Sequence, residues 1–142
     1  MILYLDTSSL VKLYVEEAHS ESVRKLVTEA ELVATCRVAY PETLSALTRR
    51  CRNGDLSRQD FDLLVQCFTD EWGSYAALDF DELEAGRLVT EHGLRGFDAV
   101  HLAAAKTLQS SDHSISPTFS SFDAALNKAA AAVGLTVMSA GE

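Results

Sequence analysis

Four acidic residues of the chain lie where predicted strands give way to helices. Asp6 and Asp123 each follow a predicted strand, while Glu42 and Asp98 fall in the first turns of predicted helices. The carboxyl ends of parallel strands meet at one edge of a sheet, where α/β proteins bind ligands, so these carboxylates could share one cleft. Clustered carboxylates repel one another unless protons or a cation neutralise them, and oxygen ligands suit Mg²⁺ or Mn²⁺. The pattern therefore points to phosphoryl chemistry, in particular phosphodiester hydrolysis.

Each of these carboxylates also has an interpretation that needs no ligand. Aspartate is favoured at helix N-caps, which would account for Asp6 and Asp123, and acidic side chains are favourable in a first turn, which would account for Glu42 and Asp98. The two roles are compatible, because a carboxylate has two oxygens. Asp6 is the strongest candidate, since a charge beside a fully apolar strand is costly to bury unless it is paired.

Two further side chains could act beside the acids. Arg49 lies seven residues after Glu42, on the same face of a predicted helix, and could hold a substrate phosphate. His101 lies three residues after Asp98 and could orient that carboxylate by a hydrogen bond, or simply pack within its helix. Both interpretations of His101 stay open at this point.

The elements that would position these residues alternate between short strands and helices. Predicted strands span residues 2–5, 32–35, 75–78, 118–122 and 135–138. Predicted helices span residues 8–15, 19–29, 38–52, 57–71, 81–91, 97–108 and 124–133, with a Ser-rich loop over 110–116. Apolar strands that alternate with helices favour a parallel sheet covered on both faces. We therefore expect an α/β fold, a three-layer α/β/α sandwich with four or five parallel strands, and one domain over residues 1–142.

The chain is acidic, with 12 Lys and Arg against 21 Asp and Glu and a formal net charge of −9. Proteins that coat nucleic acid by neutralising its phosphates are therefore disfavoured. A metal-dependent nuclease remains compatible with this charge, because bound cations supply the missing positive charge. The negative charge also favours association with a basic partner.

Sequence motifs that would mark other classes of protein are absent. The chain contains no G-x-x-x-x-G-K-[ST] or G-x-G-x-x-G phosphate loop and no G-x-S-x-G nucleophile elbow. The three cysteines match no zinc or redox spacing. No apolar run is long enough to span a membrane, and nothing at the N-terminus resembles a signal peptide. We expect a cytoplasmic protein that does not bind membranes.

Four segments together resemble a known family. They are LDTSSLVKLY at 5–14, AYPETLSAL at 39–47, LRGFDAVHLAAA at 94–105 and SFDAAL at 121–126. In this order they resemble the PIN-domain ribonucleases, and within them the VapC-type toxins of bacterial and archaeal toxin–antitoxin pairs. The segment 109–117 departs from the family pattern, because it is longer and richer in serine than the turn usual before the last motif.

The resemblance implies a role for each matching residue. Asp6, Glu42 and Asp98 match the family's core acidic ligands of one or two Mg²⁺ or Mn²⁺ ions, and Asp123 matches a fourth, more variable acid. Ser8 matches a polar position near the first aspartate and Ser121 a small hydroxyl residue beside the fourth acid. We expect these two serines to contact the substrate, together with Arg49, which is a candidate from its helical face and not from the resemblance. In the family a metal-activated water attacks an RNA phosphodiester in line, leaving a 3′-hydroxyl and a 5′-phosphate.

The resemblance also implies a metal-dependent endoribonuclease that acts as the toxin of a toxin–antitoxin pair. Such a protein is expected to form a homodimer and to be neutralised by a small antitoxin with a basic C-terminal arm. Two alternatives stay open: a PIN nuclease of RNA processing without an antitoxin, and a non-catalytic PIN-like binding module. A phosphatase or phosphotransfer domain is disfavoured by the absent motifs.

Overall fold

The computed structural model describes residues 1–111 and 114–138, which form a five-stranded sheet between helices. The strands are β1 (Ile2–Leu5), β2 (Leu32–Cys36), β3 (Ala76–Leu78), β4 (Thr118–Ser120) and β5 (Thr136–Met138). They lie in the order β3-β2-β1-β4-β5, and every neighbouring pair is parallel. The predicted α/β fold with a parallel sheet is confirmed.

The helices cover both faces of this sheet. They are α1 (Thr7–Val11), α2 (Ser20–Glu29), α3 (Ala39–Arg52), α4 (Arg58–Glu71), α5 (Glu82–His92), α6 (Gly96–Ser111) and α7 (Ala124–Ala132), with a 3₁₀ turn at Trp72–Ser74. Successive side chains of a strand point to opposite faces. Leu3 and Leu5 therefore pack against α1 to α4, while Tyr4 packs against α5 to α7. The three-layer arrangement is as predicted.

The chain changes direction at β1, the central strand. It runs outward through β2 to β3 on one side, then returns to β4 and β5 on the other side of β1. Right-handed crossovers then place the first four helices on one face and the last three on the other. The carboxyl ends of β1 and β4 border the crevice at this reversal, which is where open parallel sheets bind ligands.

Local capping explains where several helices begin. The Ser57 hydroxyl accepts a hydrogen bond from Asp60 N at 3.0 Å at the start of α4. At the start of α5 the Asp81 carboxylate accepts from Leu83 N and Glu84 N. These caps satisfy backbone N–H groups that have no partner within the helix, so the starts of α4 and α5 follow from local sequence.

Three predicted boundaries are wrong by two residues or more. Helix α1 ends at Val11 instead of residue 15, because the next residues form tight turns with bonds to carbonyls three residues back. Strand β4 ends at Ser120 instead of residue 122, since Phe122 N bonds to the Ser8 hydroxyl and leaves the sheet.

Helix α6 extends to Ser111, so the predicted loop begins later than residue 110. Residues 112–113 of that loop lie outside the described residues, and residues 114–117 form neither helix nor strand. In the described part of the chain, no helix has the length and apolar character needed to cross a membrane.

Candidate active site

Asp6 lies at the carboxyl end of β1 and is only 3% exposed. Its Oδ1 caps α1 by accepting from Ser9 N at 3.0 Å and also accepts from the Ser8 hydroxyl at 2.7 Å. Its Oδ2 accepts from the Ser121 hydroxyl at 2.6 Å. Burial raises the pKa of Asp6 above its ordinary value, although His101 and the three hydrogen bonds oppose that shift. Asp6 is therefore both a helix cap and a buried carboxylate at the sheet edge.

Ser8 and Ser121, which are predicted to contact substrate, hold Asp6 from both sides. The Ser8 hydroxyl also accepts from Phe122 N at 3.0 Å, and the Ser121 hydroxyl accepts from Asp123 N at 3.1 Å. These bonds tie the start of α1 to the segment after β4. The long segment 109–117 therefore does not prevent Ser121 and Asp123 from reaching the site.

Glu42 lies in the first turn of α3, and its carboxylate is held by two donors. The Thr7 hydroxyl donates to Oε1 at 2.5 Å, and His101 Nε2 lies 2.9 Å from the same oxygen. Burial alone would raise the pKa of Glu42, but the bonds from His101 and Thr7 outweigh it and lower the pKa below its ordinary value. Glu42 is therefore ionised at neutral pH.

His101 is buried, and its ring orients Glu42 and not Asp98. Its Nδ1 lies 2.8 Å from the Tyr4 hydroxyl. The ionised Glu42 carboxylate can only accept, so Nε2 of the ring carries the proton that is donated to it. With the proton on Nε2, Nδ1 accepts from the Tyr4 hydroxyl, which stays protonated because burial raises the pKa of Tyr4 well above its ordinary value. Tyr4, His101 and Glu42 form one hydrogen-bonded chain from the core to the site.

Asp98 and Asp123 share one guanidinium. Arg95 Nε donates to Asp98 Oδ2 at 3.0 Å, and Arg95 Nη2 donates to Asp123 Oδ2 at 3.1 Å. The other Asp123 oxygen caps α7 by accepting from Leu126 N at 2.8 Å. Arg95 is not among the site residues predicted from the sequence, although its position three residues before Asp98 is a recognisable helical pairing.

These groups line one cleft of about 610 Å³ at the carboxyl edge of the sheet. Its polar lining includes Asp6, Thr7, Ser8, Lys12, Glu17, Glu42, Arg49, Arg50, Arg95, Asp98, His101 and Asp123. All four predicted acids and Arg49 therefore border the same space. Ser121 is buried beneath it, behind Asp6.

The cations of the cleft differ in how they are paired. Lys12 Nζ lies 2.8 Å from Glu17, and Arg50 pairs with the same carboxylate. Arg49 contacts the Ser45 hydroxyl at 3.2 Å and is in none of the ion pairs found among the described residues. Arg49 is thus the cleft cation most available to a phosphate.

The donor chemistry of the cleft fits a hard divalent cation. In residues 1–111 and 114–138, no three His, Cys, Asp or Glu side chains are grouped closely enough to hold a metal together. Mg²⁺ does not need such a cage, because it is commonly bound by one or two carboxylates while waters and substrate phosphates complete its shell. The Arg95 guanidinium already provides positive charge between Asp98 and Asp123.

A neighbouring groove of about 680 Å³ shares Glu42, Arg95 and Asp98 with the cleft. Its remaining lining is largely apolar and includes the exposed Phe80 and Phe97. Hydrolysis needs several convergent polar groups, so the acidic cleft and not this groove is the candidate active site.

A sequence model of the PIN domain family matches residues 3–132. Two curated relatives from Mycobacterium tuberculosis, ribonuclease VapC45 (strain CDC 1551 / Oshkosh) and ribonuclease VapC49 (strain ATCC 25618 / H37Rv), are each 35% identical over 107 residues. Each match covers 73% of this chain and 74% of the relative. Ribonuclease VapC3 of Pyrobaculum aerophilum is 27% identical over 113 residues, covering 76% of this chain and 84% of that protein.

Two crystal structures share the fold. PAE2754 from Pyrobaculum aerophilum superposes with a TM-score of 0.68 and 19% identity, covering 96% of this chain and 83% of that one. FitAcB from Neisseria gonorrhoeae superposes with a TM-score of 0.65 and 18% identity, covering 97% of this chain and 96% of that one. At such low identity the likeness supports the fold alone.

Proposed function

The chain belongs to the PIN-domain family and to its VapC-type ribonucleases, and on this premise we propose that it is an endoribonuclease and the toxin of a toxin–antitoxin pair. The observation that carries the proposal is the convergence of Asp6, Glu42, Asp98 and Asp123 on one cleft at the reversal of the sheet. The names of the Mycobacterium tuberculosis relatives support RNA as the substrate.

We assign the acids as the ligands of Mg²⁺ or Mn²⁺. Asp6 and Asp98 are the main ligands, directly or through water, Glu42 shares the metal or orients the attacking water, and Asp123 supports a second or weaker site. A bound divalent cation would lower the pKa of the attacking water and offset charge on the phosphate.

The chain's own residues prepare this reaction. Ser8 and Ser121 hold both oxygens of Asp6. Because Thr7 and His101 both donate to Oε1 of Glu42, Oε2 remains to accept a hydrogen bond from the attacking water. We assign Arg49 and Arg95 to the RNA phosphate, since both guanidinium groups border the cleft and match the geometry of phosphate oxygens.

The partners follow from charge and family. We propose a homodimer and a small antitoxin whose basic C-terminal arm enters the acidic cleft, because a net charge of −9 attracts such an arm. We also propose a cytoplasmic location, because that is where the proposed RNA substrate and antitoxin would be met. A nuclease of RNA processing would use the same cleft without an antitoxin. A neighbouring gene for a small protein with a DNA-binding N-terminus would favour the toxin.

Cleavage of RNA by the purified protein tests the function. We expect cleavage with Mg²⁺ or Mn²⁺, none in EDTA, and a loss of at least about 100-fold in Asp6→Asn, because the metal supplies several kcal/mol of transition-state stabilisation. Asp81→Asn is the matched control, since Asp81 also caps a helix but lies outside the lining of the cleft. Cleavage that survives both EDTA and Asp6→Asn would contradict the assignment, and well-folded protein that cleaves no RNA would favour a binding module.

A further inference from the structure

An aromatic ring that lines the acidic cleft carries a second ring stacked on it. Phe122 stands between Ser121 and Asp123 in the sequence and lines the cleft. The His19 ring stacks on it with centroids 5.4 Å apart and an interplanar angle of 17°. One face of the His19 ring covers Phe122, and because the residue is exposed we take the opposite face as accessible to a ligand. Neither ring has a part in the hydrolysis proposed above.

The stacked pair is anchored to the same groups that hold Asp6. Phe122 N donates to the Ser8 hydroxyl at 3.0 Å, and that hydroxyl donates to Asp6. His19 has a left-handed backbone with φ of 71°, the one positive φ among the described non-glycine residues. Histidine tolerates this conformation better than most residues. The His19 ring therefore stacks on a residue whose backbone is bonded to Ser8, one of the side chains that hold Asp6.

A cation lies at the same place. Lys12 Nζ is 4.5 Å from the centre of the Phe122 ring, within the range of a cation–π contact. Lys12 also borders the cleft. The His19 ring thus stacks on Phe122, whose ring lies between the cleft and Lys12, a cation that also pairs with Glu17. This combination suits a nucleotide, which presents a flat base and a phosphate a few ångströms apart.

We propose that the open face of His19, backed by Phe122, is the stacking site for one unpaired nucleobase of the RNA, next to the phosphate that is cleaved. The inference rests on the proposed function, because it takes RNA as the ligand. Proteins read RNA mainly in unpaired regions, where bases can leave the helix and stack on aromatic side chains, histidine included. The site would select unpaired RNA and would tolerate several bases, since every base offers a flat face.

A cycle of protein and RNA variants tests the stacking site. Wild type, His19→Gly and His19→Tyr are compared on short single-stranded RNA oligonucleotides and on the same oligonucleotides with one abasic nucleotide at successive positions. Binding is followed by fluorescence anisotropy in the Asp6→Asn background, which is expected to leave the RNA intact, and cleavage is followed by single-turnover kinetics without that substitution. Glycine removes the ring while accepting the positive φ, and tyrosine restores a ring.

We expect His19→Gly to weaken RNA binding about tenfold, as removal of one stacking ring typically does. In wild type, an abasic nucleotide at one position should weaken RNA binding by about the same factor. In His19→Gly the same abasic nucleotide should cause no further loss of affinity. In His19→Tyr, where a ring is restored, it should again weaken binding. Phe61→Leu is the control, because Phe61 also has a cation over its ring but does not line the cleft.

Other outcomes separate this inference from the proposed function. RNA that is cleaved equally well by wild type and His19→Gly, with the same abasic sensitivity, would overturn the stacking site and leave the nuclease standing. If His19→Gly and the abasic nucleotide weaken RNA binding without adding to each other, and no RNA is cleaved, the result would support the stacking site and contradict the nuclease. If His19→Gly leaves RNA binding unchanged and weakens a protein complex instead, the ring is a protein contact and the inference is wrong.

Discussion

At the residue scale, Asp6 is costly to the folded protein. Because burial raises the pKa of Asp6, the stability that this group contributes is present below its unfolded pKa of about 3.9 and is lost as pH rises through the folded value. Asparagine does not titrate and can keep the cap. We therefore expect Asp6→Asn, measured by thermal unfolding in EDTA, to be as stable as wild type or more stable at neutral pH.

The same melting experiment with Mg²⁺ tests Asp6 as a ligand without any activity measurement. A cation that binds only the folded state raises the unfolding temperature, and we expect this rise in wild type and in Asp81→Asn but not in Asp6→Asn. An Asp6→Asn protein that unfolds well below wild type in EDTA would show that Asp6 is mainly a structural cap. An equal Mg²⁺ effect in all three proteins would remove Asp6 from the ligand set.

His101 is a positioning residue, because it acts through Glu42. His101→Phe keeps a ring but removes the donor to Glu42 and leaves the Tyr4 hydroxyl without its partner. We expect kcat to fall about 10- to 100-fold, as for the loss of other outer partners of metal ligands. We expect KM to stay nearly unchanged, because His101 is buried, with 2% of its surface exposed, and is not assigned to RNA binding. Steady-state cleavage kinetics measure this division.

Two variants distinguish positioning from general damage to the core. Tyr4→Phe removes only the hydroxyl at the far end of the hydrogen-bonded chain from Tyr4 to Glu42, and it should reduce kcat less than His101→Phe does. Thr7→Val removes the other donor to Oε1, and its effect should not add to that of His101→Phe, since both act on one carboxylate. A rise in KM without a fall in kcat would contradict the positioning role.

At the element scale, an ion-pair network joins α5 to α6, the helix that carries Asp98 and His101. The Glu84 carboxylate pairs with Arg87 on its own helix and with Lys106 of α6, 2.6 Å away. The bonds from Arg87 and Lys106 lower the pKa of Glu84 to about 2. This contact holds the amino end of α5 against the middle of α6.

The low pKa of Glu84 predicts how stability depends on acidity. Its contribution is present above an unfolded pKa of about 4.3 and is lost as pH falls toward the folded value. Glu84→Gln should therefore unfold at a lower temperature than wild type at neutral pH. The loss in free energy of unfolding should be no more than about 1 kcal/mol, because the network is partly exposed. The difference should vanish near pH 2. Asp62→Asn is the control, since Asp62 pairs with Arg58 on α4, outside this network. A difference for Glu84→Gln that persists in acid would contradict the assignment.

At the scale of the whole molecule, exposed apolar side chains favour a dimer. Phe80 and Phe97 line the groove beside the cleft and are 39% and 60% exposed, and Leu83 nearby on α5 is 80% exposed. Clustered exposed apolar groups commonly mark an interface. This groove is therefore the surface on which we expect the second copy of the proposed homodimer.

Sedimentation of the purified protein tests this surface. We expect twice the 15.4 kDa chain mass, and we expect Phe97→Glu to yield monomers because a buried unpaired charge is costly. Leu63→Glu is the matched control, since Leu63 is 63% exposed on α4, away from the groove. A monomeric wild type would reject the homodimer, and dissociation by Leu63→Glu alone would move the interface to α4.

Sequence patterns predict the parallel α/β layering, the strand end that carries Asp6 and the position of Asp123 just before α7. These features follow from local chemistry: apolar strands alternate with helical periodicity, and caps such as Ser57 and Asp81 start helices next to them. Parallel strands bring their carboxyl ends to one edge, so the acids could be expected to meet there. Predicted boundaries are wrong where a backbone N–H bonds to a side chain that is distant in sequence, as Phe122 N does to the Ser8 hydroxyl.

The pairing of side chains across that edge depends on the three-dimensional fold and could not be predicted from the sequence. Arg95 reaches Asp123, 28 residues away in sequence, and His101 reaches Glu42, 59 residues away. The stacking of His19 on Phe122 also joins segments that no local pattern connects. Such contacts depend on strand order and helix packing, which place side chains within a few ångströms, whereas periodicity and capping act only between neighbours along the chain.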